Sequence, residues 1–245
     1  KKTRGRQLSI LLNISEIALV LTPLFGGYVI ATYGFGYIFI ISPLLFLITI
    51  PPLFSISNPK EKYSFTYLNT FKQLFKKKNR PILVGYSADG AQSVVAAIIW
   101  PIFIFQLFNG EYLSVGIVTA LTLIAIVVLR LLIGDIIDRW NRSKMITIGS
   151  IFYTTGWIIK IFVETAFQVF LVDTYHNIGK TVNRITFDTN TYTQSADNGH
   201  YIDEFTSLKE IALNIGRITM LSFVAVIVLF ATIKVTFIAA AIATL

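Results

Sequence analysis

Residues 112–133 read YLSVGIVTALTLIAIVVLRLLI, and the chain continues as GDIIDRWNRSK over residues 134–144. The first stretch contains a single charged residue, Arg130. A membrane-spanning helix needs about 20 predominantly apolar residues, whereas a surface helix of a soluble protein must present a polar face to water. This stretch therefore predicts a helix that crosses a membrane and is followed by a short polar turn.

Apolar blocks of the same kind recur along the chain of 245 residues. They fall at about 8–32, 37–57, 81–108, 112–133, 145–163, 167–190, 211–232 and 235–245. Charged residues make up 14% of the sequence, against about 25% in an ordinary soluble domain. The sequence predicts an all-α, polytopic membrane helix bundle with seven or eight transmembrane helices, and it argues against a soluble enzyme.

The basic residues are distributed unevenly over the connectors. Sixteen of the 21 lysine and arginine residues lie in the amino-terminal segment or in every second connector, which would all lie on the same side of the membrane. Because cytoplasmic loops carry an excess of Lys and Arg, we expect a multi-pass protein of the cell membrane with its basic loops in the cytoplasm. Membrane lipids are then its surroundings. The net charge of +8 reflects this orientation, and no nucleic-acid partner is expected.

The chain lacks the patterns on which common catalytic and cofactor sites depend. It has no cysteine and two histidines, and H-E-x-x-H, G-x-S-x-G and G-x-x-x-x-G-K-[ST] do not occur. We expect no metal, no cofactor and no enzymatic activity. Two alternatives remain open: an intramembrane enzyme that uses Asp173, His176 and Asp188 on a lipid-linked substrate, and a non-catalytic membrane scaffold or sensor.

Two short motifs resemble elements of the major facilitator superfamily. The turn after the fourth block resembles the signature G-x-x-x-D-R-x-G-R-[RK], with Asn141 where the family usually has Gly; the matching residues are Gly134, Asp138, Arg139 and Arg142. Residues 22–27 (TPLFGG) are similar to the G-P-x-x-G-G element of antiporter-type members through Pro23, Gly26 and Gly27. The first motif is expected to act as a cytoplasmic gate, and the second to let a neighbouring helix pack closely.

The resemblance implies a secondary transporter that moves a small-molecule substrate by alternating access, coupled to protons or another ion. The blocks would correspond to helices five to twelve of twelve, with the last one truncated. Residues 1–57 would be the last two helices of the amino-terminal half-bundle, 58–80 the basic cytoplasmic central loop, and 81–245 the carboxy-terminal half-bundle. The remaining amino-terminal helices of the same chain would complete the transporter.

Ionisable residues at membrane depth are costly and therefore mark candidate pathway residues. The third block contains Asp89 and Gln92, and a helical stripe of the sixth block contains Asp173, His176, Asn177, Lys180 and Arg184. We expect Asp89, Lys180 and Arg184 to form a charge network in a central cavity, with His176 and Asp173 as candidate proton carriers. Some of these residues could instead be structural only. In the fifth block, Lys160 is expected to pair with Glu164 as a structural anchor.

Overall fold

The structure is a computed structural model, and it describes residues 4–55, 71, 72, 74, 76, 77, 79–139, 142–196 and 202–244. Within these ranges, the structure describes the side chains of all residues except 4–17, 82, 130–139, 142, 143, 145, 146, 184–196 and 202–205. The described residues form helices and turns, without a strand. Most of the predicted central loop, 58–80, lies outside them, so that domain boundary stays a prediction.

The helices follow the predicted apolar blocks in order. Their bounds are α1 (Arg4–Tyr33), α2 (Gly36–Phe54), α3 (Arg80–Val94), α4 (Trp100–Leu107), α5 (Tyr112–Arg139), α6 (Arg142–Lys160), α7 (Ala166–Ala196), α8 (Ile202–Phe230) and α9 (Val235–Ala243). A π-helical turn, Val95–Ile99, joins α3 to α4. It lies just before Pro101, where the missing backbone N–H disturbs the regular hydrogen-bond ladder.

Four described segments are long and apolar enough to cross a membrane. They are Gly36–Phe54, Leu83–Leu107, Tyr112–Leu129 and Thr206–Phe230, and Ala18–Tyr33 is a shorter apolar helix. No described residue of α2 is buried, and Phe46 and Phe54 are 74% and 86% exposed. These observations confirm the all-α membrane helix bundle. That seven or eight helices cross the membrane stays a prediction.

Tight turns connect the helices at one end of the bundle, which we call the short-turn end. It comprises residues 34–35, 108–111, 161–165 and 231–234. Gly34 and Gly110 adopt φ angles of +91° and +84°, which glycine adopts without steric cost. The Phe35 and Tyr112 rings, 6.2 Å apart, bring the first two of these turns together.

Glycines allow close backbone approach in three pairs of helices: α1 with α5, α3 with α8, and α6 with α7. A β-carbon added at any of these glycines would clash with the facing helix. Small residues are the usual means of bringing membrane helices together, because lipid offers no hydrophobic driving force between them. The glycines are Gly27 and Gly116 in the first pair, Gly90 and Gly216 in the second, and Gly149, Gly156 and Gly179 in the third.

An aromatic cluster fills the core near the short-turn end. Trp100 and Phe103 of α4 stack at 5.5 Å between ring centroids, and Phe237 of α9 meets them at 5.7 and 5.4 Å. Trp157 of α6 packs on Phe237 at 6.0 Å. This cluster joins α4, α6 and α9, and it forms one wall of the site described next.

Candidate functional site

A buried ion pair connects α6 to α7 near the short-turn end. Lys160, the last residue of α6, places its Nζ atom 2.8 Å from Oδ1 of Asp173. The Lys160 side chain is 1% exposed and that of Asp173 is 19% exposed. The expected partner, Glu164, lies in the turn after α6. Because the helix ends at Lys160, residues 160 and 164 do not share a helical face, and the pairing predicted from their spacing is wrong.

Two tryptophan rings complete the surroundings of the Lys160 ammonium group. Its Nζ atom lies 4.0 Å from the ring centroid of Trp100 and 4.6 Å from that of Trp157. Cations within about 6 Å of a tryptophan ring are attracted to the negative face of the ring. We call Lys160, Asp173, Trp100 and Trp157 the lysine cage. It joins three helices, α4, α6 and α7, through one side chain.

His176 lies one helical turn beyond Asp173 and is enclosed by aromatic rings. Its centroid is 4.7 Å from those of both Tyr153 and Trp157. The histidine is 2% exposed, and its Nδ1 atom has no hydrogen-bond partner in the described part of the protein. Gly156 makes room for the ring, since a β-carbon there would lie 2.7 Å from Nδ1. His176 thus packs against the lysine cage through Trp157.

The other α7 residues of the predicted stripe continue away from the cage. The Asn177 side-chain Nδ2 donates a hydrogen bond to the Asp173 backbone carbonyl at 2.8 Å. Lys180 is half-buried one turn further along α7. The Arg184 side chain lies outside the described residues, so the network of Asp89, Lys180 and Arg184 stays a prediction.

The polar pair of the third block lies on a different helix pair. Asp89 is exposed, and its Oδ1 atom accepts a hydrogen bond of 2.8 Å from Nε2 of Gln92, which is buried. The Gln92 Oε1 atom is buried without a hydrogen-bond partner among the described residues. Both residues belong to α3, which packs mainly against α8, whereas Asp173 and His176 face α6. The structure therefore presents two separate polar groups.

The predicted packing motif lies at the contact between α1 and α5. A β-carbon at Gly27 would be 2.7 Å from the Tyr112 carbonyl oxygen, and one at Gly116 would be 2.6 Å from the Pro23 carbonyl oxygen. Gly26 faces open space, with no atom within 4 Å of its β-carbon position. Pro23 and Gly27 thus contribute to this junction, and Gly26 does not. Gly116 is a participant that the sequence motif does not contain.

Comparison with protein families decides the assignment. The family model of the Major Facilitator Superfamily matches residues 1–172. The chain belongs to the major facilitator superfamily. No curated protein matches the sequence. The family resemblance inferred from the two motifs is confirmed, and this facilitator-superfamily protein is a multi-pass membrane transporter.

The turn signature of this facilitator-superfamily transporter lies at the opposite end of the bundle from the lysine cage. Gly134, Asp138 and Arg139 belong to the last turns of α5, and Arg142 is the first residue of α6. Their side chains, and residues 140–141, lie outside the described residues. The cytoplasmic gate stays a prediction.

The cage residues Lys160, Trp100 and Trp157 were not among the sequence-predicted site residues. One local signal was available: Trp157 and Lys160 are three positions apart, which places them on the same face of α6. No such signal indicates the contribution of Trp100, because Trp100 is 60 positions away from Lys160 in the sequence and contacts it only through tertiary packing.

Proposed function

We propose that this protein is a secondary active transporter of the cell membrane that moves a small solute by alternating access, coupled to an ion. The family assignment supports transport in general. The lysine cage supports the finer proposal, because a buried ionisable pair inside a membrane helix bundle is expensive and by default marks a substrate or ion pathway. The basic connectors would face the cytoplasm, and the short-turn end would face the outside.

The junction between α1 and α5 is the observation that carries the alternating-access proposal. If residues 1–57 and 81–245 belong to opposite half-bundles, Gly27 and Gly116 form a contact between the halves near the short-turn end. Glycine leaves two backbones in direct contact with few interlocking side chains, so the contact can open without repacking large groups. In this arrangement the outer ends of the halves are together, and the site would be reached from the cytoplasm.

The absence of cysteine from the chain provides a direct test. Phe35→Cys with Tyr112→Cys places two thiols where the rings are 6.2 Å apart, and a short bifunctional thiol reagent can join them across the junction. A protease site inserted into residues 58–80 reports the cross-link as two fragments held together on a gel. Asn177→Cys then reports access to a membrane-impermeant maleimide added from either side of the membrane.

Cross-linking across the junction should abolish labelling of Asn177→Cys from the short-turn side and preserve labelling from the opposite side. The matched control joins Tyr33→Cys to Tyr37→Cys, whose rings are 5.7 Å apart within one proposed half, and should leave access unchanged. Equal labelling from both sides whatever the cross-link would refute alternating access. If Asn177→Cys is labelled from neither side of the membrane, the result would favour the scaffold alternative.

A further inference from the structure

The Lys160 ammonium group is stabilised from two directions by groups of different chemistry. The Asp173 carboxylate accepts its hydrogen bond at 2.8 Å, and the Trp100 and Trp157 rings lie 4.0 and 4.6 Å away. A carboxylate combined with aromatic faces is the arrangement by which proteins recognise ammonium ligands. The cage thus has the chemistry of an ammonium-binding site, and a side chain of the protein occupies it.

The two charged partners differ in their access to the surroundings. Lys160 is 1% exposed, whereas Asp173 is 19% exposed. A solute that approaches the pair therefore meets the carboxylate and not the ammonium group. Asn177 lies on the same side of α7, and because its Nδ2 atom is bonded to the Asp173 backbone, its Oδ1 atom is a second acceptor one turn away.

The acceptor atoms at Asp173 favour one class of ligand. Lys160 of α6 is the cation bonded to Asp173, and His176 lies one turn further along α7. The described part of α5 that packs beside α7 contributes no charged side chain. Ca²⁺ and Mg²⁺ take about six or more oxygen ligands. One carboxylate and one amide oxygen provide fewer, but they suit a primary ammonium group with its three N–H donors.

We propose that Asp173 binds the ammonium group of a small organic amine, and that Lys160 is the internal cation that occupies this carboxylate when the amine is absent. The inference rests on the proposed transport function and names its substrate class. When the amine binds Asp173, the tryptophan rings retain the Lys160 ammonium group, so its charge is not left without stabilisation. The exchange also breaks the ion pair between α6 and α7, which gives binding a means of altering the packing of these two helices.

The tryptophans of the cage provide the readout. The sequence contains three tryptophans, so Trp140→Phe leaves only Trp100 and Trp157. We suggest titrating this variant of the whole chain in lipid nanodiscs with ethylammonium chloride at constant ionic strength and recording tryptophan fluorescence. Tetramethylammonium chloride, which has no N–H donor, and sodium chloride serve as comparison salts.

Ethylammonium should give a saturable fluorescence change, tetramethylammonium should bind at least about tenfold more weakly, and sodium chloride should give no saturable change. Asp173→Asn should abolish the response. Lys160→Met should strengthen ethylammonium binding by about tenfold or more, because an internal competitor is removed. Glu164→Gln, an exposed change in the adjoining turn, should leave the binding curve as it was.

The effect on Lys160 variants separates this proposal from a structural role, since a purely structural lysine would leave amine affinity unchanged or lower it. Lys160→Gln makes the same comparison if Lys160→Met does not give folded protein by circular dichroism. A response that follows pH alone and ignores ethylammonium would identify a proton site and overturn the proposal. Loss of amine binding with intact sided labelling at Asn177→Cys would overturn this inference and leave alternating access standing.

Discussion

Removing the two partners of the lysine cage one at a time should have unequal effects on stability. Asp173→Asn leaves an ammonium group that is 1% exposed without its carboxylate. Stranding one member of a buried pair costs about 3–5 kcal/mol. Retention by the Trp100 and Trp157 rings offsets about 2 kcal/mol of this. The expected loss in the free energy of unfolding is therefore about 1–3 kcal/mol.

Lys160→Met leaves the other partner, a carboxylate that is 19% exposed and can be hydrated. The methionine fills the space between the rings, where contacts between sulfur and aromatic rings contribute about 0.3–1.5 kcal/mol. We expect Lys160→Met to cost less than Asp173→Asn, because the charge that it leaves behind is less deeply buried. The double variant should lie within about 1 kcal/mol of the parent protein, because no buried charge is then left unpaired.

Reversible unfolding in mixed detergent micelles, followed by circular dichroism, measures all four proteins of this cycle. Glu164→Gln is the surface control and should change the free energy of unfolding by less than about 0.5 kcal/mol. If Lys160→Met destabilises the protein as much as Asp173→Asn, the difference in burial between the two side chains does not determine the cost of removing each one. If the double variant shows the sum of the single losses, the two groups are not coupled.

Three further changes test the helix contacts and the gate. Gly27→Leu should destabilise the bundle by about 1–3 kcal/mol through the clash with α5, whereas Gly26→Leu, which faces open space, should be tolerated; thermal unfolding of the two variants compares them. Gly156→Ala should cost a similar amount, because its β-carbon would lie 2.7 Å from the α7 histidine nitrogen, and a shift in tryptophan fluorescence should accompany the displacement. Asp138→Asn should lower labelling of Asn177→Cys from the short-turn end about tenfold, because weakening the predicted cytoplasmic gate further favours the state that is open to the cytoplasm; unchanged labelling in well-expressed protein would remove the gate hypothesis.

Apolar block length predicts the helices well, but it does not determine where each one ends. The block at 112–133 corresponds to α5, yet the helix continues to Arg139. Polar residues at a membrane surface can remain helical, since water and lipid headgroups form hydrogen bonds with their polar groups. The block at 37–57 overshoots in the other direction, because α2 ends at Phe54. Hydropathy reports immersion in lipid, whereas helix ends depend on local backbone geometry.

Sequence spacing predicts neighbours along one helix but not contacts between helices. It placed Asp173, His176 and Asn177 on one stripe of α7, where the structure has them. It also favoured Glu164 as the partner of Lys160, because the rule for residues four apart assumes that the helix continues. The end of α6 at Lys160 removes that assumption, and the carboxylate of the next helix takes the position.

The energetics of the cage argue that its charges have a role beyond holding helices together. Apolar side chains of similar volume often stabilise a protein interior as well as a buried ion pair does, or better. Two apolar residues at positions 160 and 173 could therefore join α6 to α7 without the desolvation cost. The proposed exchange requires charged groups, because a carboxylate can bind an internal cation and an external cation in turn. The different exposure of Lys160 and Asp173, 1% and 19%, is what such an exchange requires, since the incoming cation must reach the acid before the base is released.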